Sequence, residues 1–285
     1  MKSLPFLNPA AGSPAVRNPG RPAVIVPTQA IDAEELAAEC AAAAATGIVD
    51  AVEWRIDPLL AAASGSVLTR AEAALSLLPR ALTAGLPILL TVRTGFEGGQ
   101  VEITEDDYAE AVRALIAGAT GVEVGDRTAA AAGVESGVPG AAASGVPVAI
   151  DVEIDRAESR SLIASAREAG VPVVASHHNF EVTDSAERLL ATFTAMSEAS
   201  ADVAKVAMMP QTPADVLRLL EATSTADASS AAPVLGISMG PLGRTSRIMG
   251  ADFGSCATFA QIGQASAPGQ IDAVVLAEIL DRVTG

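Results

Sequence analysis

Short apolar, β-branched runs alternate with longer Ala-, Leu- and Glu-rich stretches along this chain. Compact runs dominated by Val, Ile and Leu read as strands buried on both faces. They fall at Ala23–Val26, Ala51–Ile56, Pro87–Val92, Val146–Ile154, Val171–Ser176, Val203–Met208, Val234–Ser238 and Asp252–Phe259. Between most of them the pattern turns helical. Ile31–Ala45 opens with Asp32 as N-cap and closes at Gly47, while Thr104–Ala117 begins Thr-Glu-Asp-Asp, a capped and acid-rich first turn. Asp184–Ser197 and Thr212–Ala222 follow the same logic, with Pro213 at a favoured first-turn position. Strands separated by helices call for parallel crossovers, and eight of them predict a single (β/α)8 barrel domain over residues 21–285. The rival, a doubly wound open sheet, usually carries a Gly-rich fingerprint after its first strand, and Val26-Pro27-Thr28-Gln29 has none.

Two stretches lie outside this alternation. Residues 119–145 are rich in Gly, Ala and Ser and too long for an ordinary helix-to-strand loop, so they read as an insertion with partial helix. Val122–Val124 within it could be a short extra strand. Residues 1–20 carry Pro5, Pro9, Pro14 and Pro19 without a continuous apolar segment, which predicts an irregular or flexible arm rather than a secretory signal.

Composition narrows the function classes. Half of the residues are hydrophobic but only 3% are aromatic, so the core is built from Val, Leu, Ile and Ala. Despite a mean hydropathy of +0.38, no window reaches the roughly 18 apolar residues of a membrane span. A net charge of −16 argues against nucleic acid or an anionic membrane as partner. Cys40 and Cys256 stand far apart with no Cys/His clustering, which points to a reduced cytoplasmic protein without a metal site. His177 and His178 are the only histidines, and neighbouring strand side chains face opposite ways, so the pair is poorly placed to share an ion.

The polar residues gather where strands end. Lys205 is one of only two lysines, the other being Lys2, and it sits in the apolar run Ala-Asp-Val-Ala-Lys-Val-Ala-Met-Met-Pro (201–210). A desolvated lysine can lose its proton and attack a carbonyl, whereas arginine cannot. The bland reading is a lysine snorkelling from a strand end. Glu53, Arg55 and Asp57 share one strand face and make sense there only as a paired network lining a polar pocket. Arg93-Thr94-Gly95-Phe96-Glu97-Gly98-Gly99 is a loop able to turn back over such a pocket. His178 closes its strand and is a candidate acid/base, although a lone histidine is commonly a satisfied structural group. Gly236–Gly240 leads into Arg244 and Arg247, and Ala265–Gln270 forms a loop with two side-chain hydrogen-bonding groups, Ser266 and Gln270.

In this order the motifs resemble those of type I 3-dehydroquinate dehydratases, the Schiff-base-forming enzymes of the shikimate pathway. The resemblance runs from Ala23 to the C-terminal helix. It rests on Glu-x-Arg-x-Asp (53–57), Arg-Thr-x-x-Glu-Gly-Gly (93–99), Asp-Val-Glu (151–153), Ser-x-His-x-Phe (176–180) and Ala-Lys-Val-Ala-x-Met-Pro (204–210). It continues with Ile-Ser-Met-Gly (237–240), Ser-Arg (246–247), Phe-Gly-Ser (253–255) and Ser-Ala-Pro-Gly-Gln (266–270). The resemblance implies an imine on Lys205, acid/base work by His178, and Glu97 beside that histidine. It implies that Glu53, Arg55 and Arg93 hold the ring hydroxyls and stabilise the site. Arg247 would take the carboxylate, and Ser266 and Gln270 would form a lid. It further implies a small-molecule substrate, 3-dehydroquinate, no cofactor or metal, and a homodimer. Asn179 departs from the Asp of many relatives.

Two other readings share some of these features. A class I lysine-imine aldolase or transaldolase would share Lys205 but usually needs a phosphate cradle of backbone amides near the last strands. A silent barrel that binds a small acid would not require Lys205, His178 and Glu97 together. Biosynthetic and quinate-catabolic roles call for the same step.

Overall fold

The structure, a computed structural model, describes residues 1–129, 145–263 and 266–284. Eight parallel strands follow one another around a barrel: β1 (Ala23–Thr28), β2 (Ala51–Arg55), β3 (Ile88–Thr91), β4 (Val148–Glu153), β5 (Val173–Asn179), β6 (Val203–Met208), β7 (Val234–Ser238) and β8 (Ala257–Phe259). From β1 to β7 each strand pairs with the next, and β8 returns to β1 through Ala23–Ala257 and Ile25–Phe259. The remaining seam, β7 to β8, is joined by a single bridge between Val234 and Ser255. The Ser255 side chain accepts from the Gly236 amide at 3.1 Å, so a hydroxyl extends a ladder that strand pairing leaves short. This is the expected (β/α)8 barrel.

The helices are α1 (Pro14–Arg17), α2 (Ala33–Ala45), α3 (Asp57–Ala62), α4 (Val67–Leu82), α5 (Glu105–Ala129), α6 (Ser159–Glu168), α7 (Ala186–Glu198), α8 (Pro213–Ser229), α9 (Arg244–Met249) and α10 (Ala273–Thr284). Their starts carry the predicted chemistry. Asp32 accepts from the Glu34 and Glu35 amides, each at 2.9 Å. Thr212 and Asp215 form a reciprocal capping box before Pro213.

Period-two alternation divides every strand. Val24, Val26, Trp54, Ile88, Leu90, Ile150, Val152 and Val206 face the helices in the larger core. Ile25, Leu89, Val174, Val203 and Leu235 fill the barrel interior, and the arm caps that interior with Leu4 and Phe6, 3% and 2% exposed. The arm is therefore seated rather than flexible, although only Pro9–Ala11 and α1 give it regular structure. Further along the same strands the inward positions turn polar.

The structure also differs from the sequence reading elsewhere. Val122–Val124 lies within α5, which runs on to Ala129, so the described residues hold eight strands and no extra one there. Residues 130–144 of the expected insertion fall outside the described residues. The last strand begins at Ala257, because Gly250–Phe253 winds into a 3-10 turn that ends at Gly254, where φ is +95°.

Candidate active site

Nine of the residues singled out from the sequence line one pocket at the carboxyl end of the barrel: Glu53, Arg55, Arg93, Glu97, His178, Lys205, Arg247, Ser266 and Gln270. Strand alternation explains how. Glu53 and Arg55 occupy the inward positions of β2, Lys205 that of β6 and His178 that of β5, where Ser176 pairs with Lys205 and His178 with Ala207. Asp57, expected on the same strand face, instead opens α3 and grips Arg55 through two bonds of 2.7 and 2.9 Å.

Lys205 is 4% exposed. Its Nζ stands 3.6 Å from Oε1 of Glu53, 3.6 Å from Oδ2 of Asp151 and 4.8 Å from the ring centroid of Phe259. Burial pushes its pKa down. The Glu53 and Asp151 charges oppose that shift, and Arg93 and Arg55 add to it. Charge around the lysine is arranged by Arg93, which donates to Ser176 Oγ at 3.2 Å, lies 3.1 Å from Asp151 and 3.9 Å from Glu53, and also pairs with Glu153. Asp151 stays ionised despite its burial, because Arg93 and Lys205 hold its pKa below the ordinary carboxylate range.

His178 projects into the pocket against Phe180, with ring centroids 6.3 Å apart and an interplanar angle of 18°. Burial drives its pKa well down, and the Arg93, Lys205 and Arg55 cations act in the same direction. The ring is thus neutral and able to accept a proton. The carboxylate beside it is Glu153, with Oε1 2.8 Å from Nδ1 but angled off a hydrogen bond. Glu97, expected in that place, lines the pocket wall while its carboxylate is held by Thr94 Oγ1 at 2.6 Å and by Arg156. Asp151, Glu153 and Arg156 join the site without an expected role there. The alternation in Asp151-Val152-Glu153 matches that of Glu53-Trp54-Arg55 and is the signal that would have found the first two.

Arg247 is the charged group left open. It rises from the short α9 and donates to the Phe259 and Pro268 carbonyls, each at 3.1 Å. Its Nε has no partner, and no carboxylate pairs with it among the described residues. Burial without a counter-charge lowers its pKa to about 10. A guanidinium held in that state is made for an anionic ligand, and its fork suits a planar carboxylate. The Pro268 carbonyl also accepts from the Gly240 amide at 3.0 Å, so one peptide seats the Ser266–Gln270 loop beside Arg247. Within the loop, Gln270 Oε1 accepts from the Ser266 amide at 2.9 Å. No group of three or more His, Cys, Asp and Glu side chains is placed to hold a metal among the described residues.

A buried lysine inside a (β/α)8 barrel is the arrangement of enzymes that work through a lysine imine. Within that class, the family model for type I 3-dehydroquinase matches residues 24–133 and 140–284, and the chain belongs to that family. It is 37% identical over 244 residues to the 3-dehydroquinate dehydratase of Klebsiella pneumoniae subsp. pneumoniae, covering 83% of this chain and 85% of that one. It is 34% identical over 235 residues to the Listeria monocytogenes enzyme, covering 82% and 81%. Among solved structures, the Geobacillus kaustophilus 3-dehydroquinate dehydratase superposes with a TM-score of 0.75 at 29% identity, covering 92% of this chain and 91% of that one. The type I enzyme of Clostridium difficile, determined with covalently modified comenic acid, gives 0.73 at 27% identity with 93% of each chain covered.

Proposed function

We propose that this chain removes water from 3-dehydroquinate to give 3-dehydroshikimate through an imine on Lys205. The observation that carries this reading is the pairing, in one pocket, of a desolvated lysine with an arginine that lacks a counter-charge. One supplies the nucleophile and the other the seat for a carboxylate.

The chemistry follows from the geometry. Neutral Lys205 adds to the ring ketone and expels water, leaving a protonated imine, a stronger electron sink than the carbonyl. His178 takes the proton from the adjacent carbon, and the electron pair moves to the imine nitrogen as an enamine. The enamine then pushes out the hydroxyl one carbon further on, which leaves with the proton His178 holds. Water hydrolyses the conjugated imine and frees both product and lysine. Arg93 pairs with Asp151, Glu53 and Glu153 around the reacting centre and holds the Asp151 pKa down. Glu53 and Arg55 face the space a hydroxylated ring would fill, Arg247 binds its carboxylate, and Ser266 and Gln270 close over it. Glu97 acts through Arg156 and the pocket wall rather than by touching His178.

The reading extends to a homodimer, testable by light scattering of the eluting protein. It also extends to a reducing compartment such as the cytoplasm, which suits two buried free thiols. No helix among the described residues is long and apolar enough to cross a membrane. The activity itself is tested by incubating the protein with dehydroquinate and following the ultraviolet absorbance of the conjugated product. An absorbance that never rises would overturn the proposal.

A further inference from the structure

The second histidine stands outside the pocket and has its own site. His177 points to the opposite side of β5 from His178, where its Nδ1 meets Asp155 and its Nε2 lies 3.2 Å from Asp184. Asp155 follows β4, and Asp184 precedes α7. Asn179, two residues on and facing the same way, donates to the other oxygen of Asp184 at 3.0 Å. Arg188 of α7 lies 3.4 Å from Asp155, and Arg218 of α8 donates to the backbone carbonyls of Thr183 and Asp184 at 3.3 and 3.4 Å. Two connections, the one after β4 and the one before α7, therefore converge on one imidazole at the carboxyl end of β5.

We propose that His177, clamped between Asp155 and Asp184, is the positioning residue for His178. The clamp fixes the end of β5 against the exit of β4 and the entry of α7. Adjacent strand residues share one peptide plane, so holding His177 on the outer face sets the aim of His178 on the inner one. The clamp also fixes charge. Burial alone would lower the His177 pKa, but the bonds and charges of Asp155 and Asp184 raise it, and Asp155 is lowered in return. The resulting cation stands directly behind His178 and joins Arg93, Lys205 and Arg55 in disfavouring protonation of the pocket base, against the Glu153 carboxylate 2.8 Å from its Nδ1. Arg188 opposes the charge on His177 only from beyond Asp155.

This inference rests on the acid/base role of His178 for its kinetic arm, but its titration arm is independent of turnover. With two histidines in the chain, an imidazole nitrogen NMR titration assigns both from a single substitution. In the unaltered protein His177 should stay charged above the ordinary midpoint of about 6.5, and His178 neutral well below it. His177→Gln, which keeps an amide in the clamp without its charge, should raise the His178 midpoint by on the order of half a pH unit. The acid limb of kcat/KM should move up with it, with kcat falling several-fold more than KM changes. Asp184→Asn, which retains the oxygen facing Asn179, tests the same link if His177→Gln fails to fold. It should lower the His177 midpoint and shift His178 in the same upward direction. A His178 midpoint unmoved in the folded variant would overturn the proposal even if dehydratase activity were present. So would a His177 that titrates at or below 6.5 in the unaltered protein.

Discussion

Arg156 grips both carboxylate oxygens of Glu97, its Nη2 lying 2.6 Å from Oε1 and 2.7 Å from Oε2. The same guanidinium reaches Glu105 at the start of α5 at 2.5 Å and stacks 4.9 Å above the Tyr108 ring. Tyr108 in turn accepts the backbone amide of Glu153, the carboxylate nearest His178. The pocket wall and the base are thus braced from one corner after β4. Arg156→Ala leaves Glu97 buried without its cation and should destabilise the fold by roughly 3 kcal/mol. Glu97→Gln with Arg156→Ala should cost clearly less than the sum of the two changes. Urea denaturation of the four proteins in the cycle measures this, and strict additivity would show that the pair is not coupled.

For Arg247, binding and stability should part company. Arg247→Met removes a buried cation that has no carboxylate partner among the described residues, so the unliganded fold should be as stable as before or more so. Substrate affinity should fall by about a hundredfold, corresponding to roughly 2 to 3 kcal/mol for a lost charge-assisted contact. Thermal unfolding and KM together test the claim. A destabilised protein with unaltered KM would assign Arg247 to structure instead.

The Ser266–Gln270 loop is seated by contact as well as by hydrogen bonds. Gly269 has a φ of +78°, and a Cβ there would lie 2.3 Å from the Gly240 carbonyl oxygen. Gly269→Ala should push the Ser266–Gln270 loop off its seat, raising KM while leaving the melting temperature of the barrel nearly unchanged. Steady-state kinetics beside a thermal melt would reveal either outcome.

The charges around Lys205 make opposite predictions for two of its neighbours. Lys205 must be neutral to attack, and Glu53 is the leading group that opposes the burial-driven fall in its pKa. Glu53→Gln should therefore shift the midpoint for labelling Lys205 with an amine-arylating reagent to lower pH. Arg93→Gln removes a repulsive cation and should shift it upward. Peptide mapping separates Lys205 from Lys2, the one other lysine. Shifts of the same sign in both variants would contradict this account of the field.

Much of this was legible in the sequence because strand alternation converts spacing into facing. Spacing alone places Glu53 and Arg55, or Lys205 inside its apolar run, on one side of a strand. The eight strand positions were legible for the same reason, since doubly buried strands leave apolar runs. What alternation does not encode is the path of a connection. The Arg156–Glu97 pair joins the loop after β4 to the loop after β3, and no spacing rule brings those two together. The expected strand Asp252–Phe259 begins too early, because Asp252 and Phe253 belong to a 3-10 turn whose end at Gly254 the composition does not mark. His177 was read only as a neighbour of His178, since its partners Asp155 and Asp184 arrive from different connections.

The central claim is that Lys205 becomes covalently joined to the substrate ketone. Borohydride added during turnover of dehydroquinate would reduce that imine to a stable secondary amine. Mass mapping should then place the added mass on the peptide containing Lys205, with activity lost in proportion. Lys205→Ala should give neither adduct nor turnover while remaining folded. Full turnover under borohydride with Lys205 unmodified, or undiminished activity in Lys205→Ala, would contradict the account.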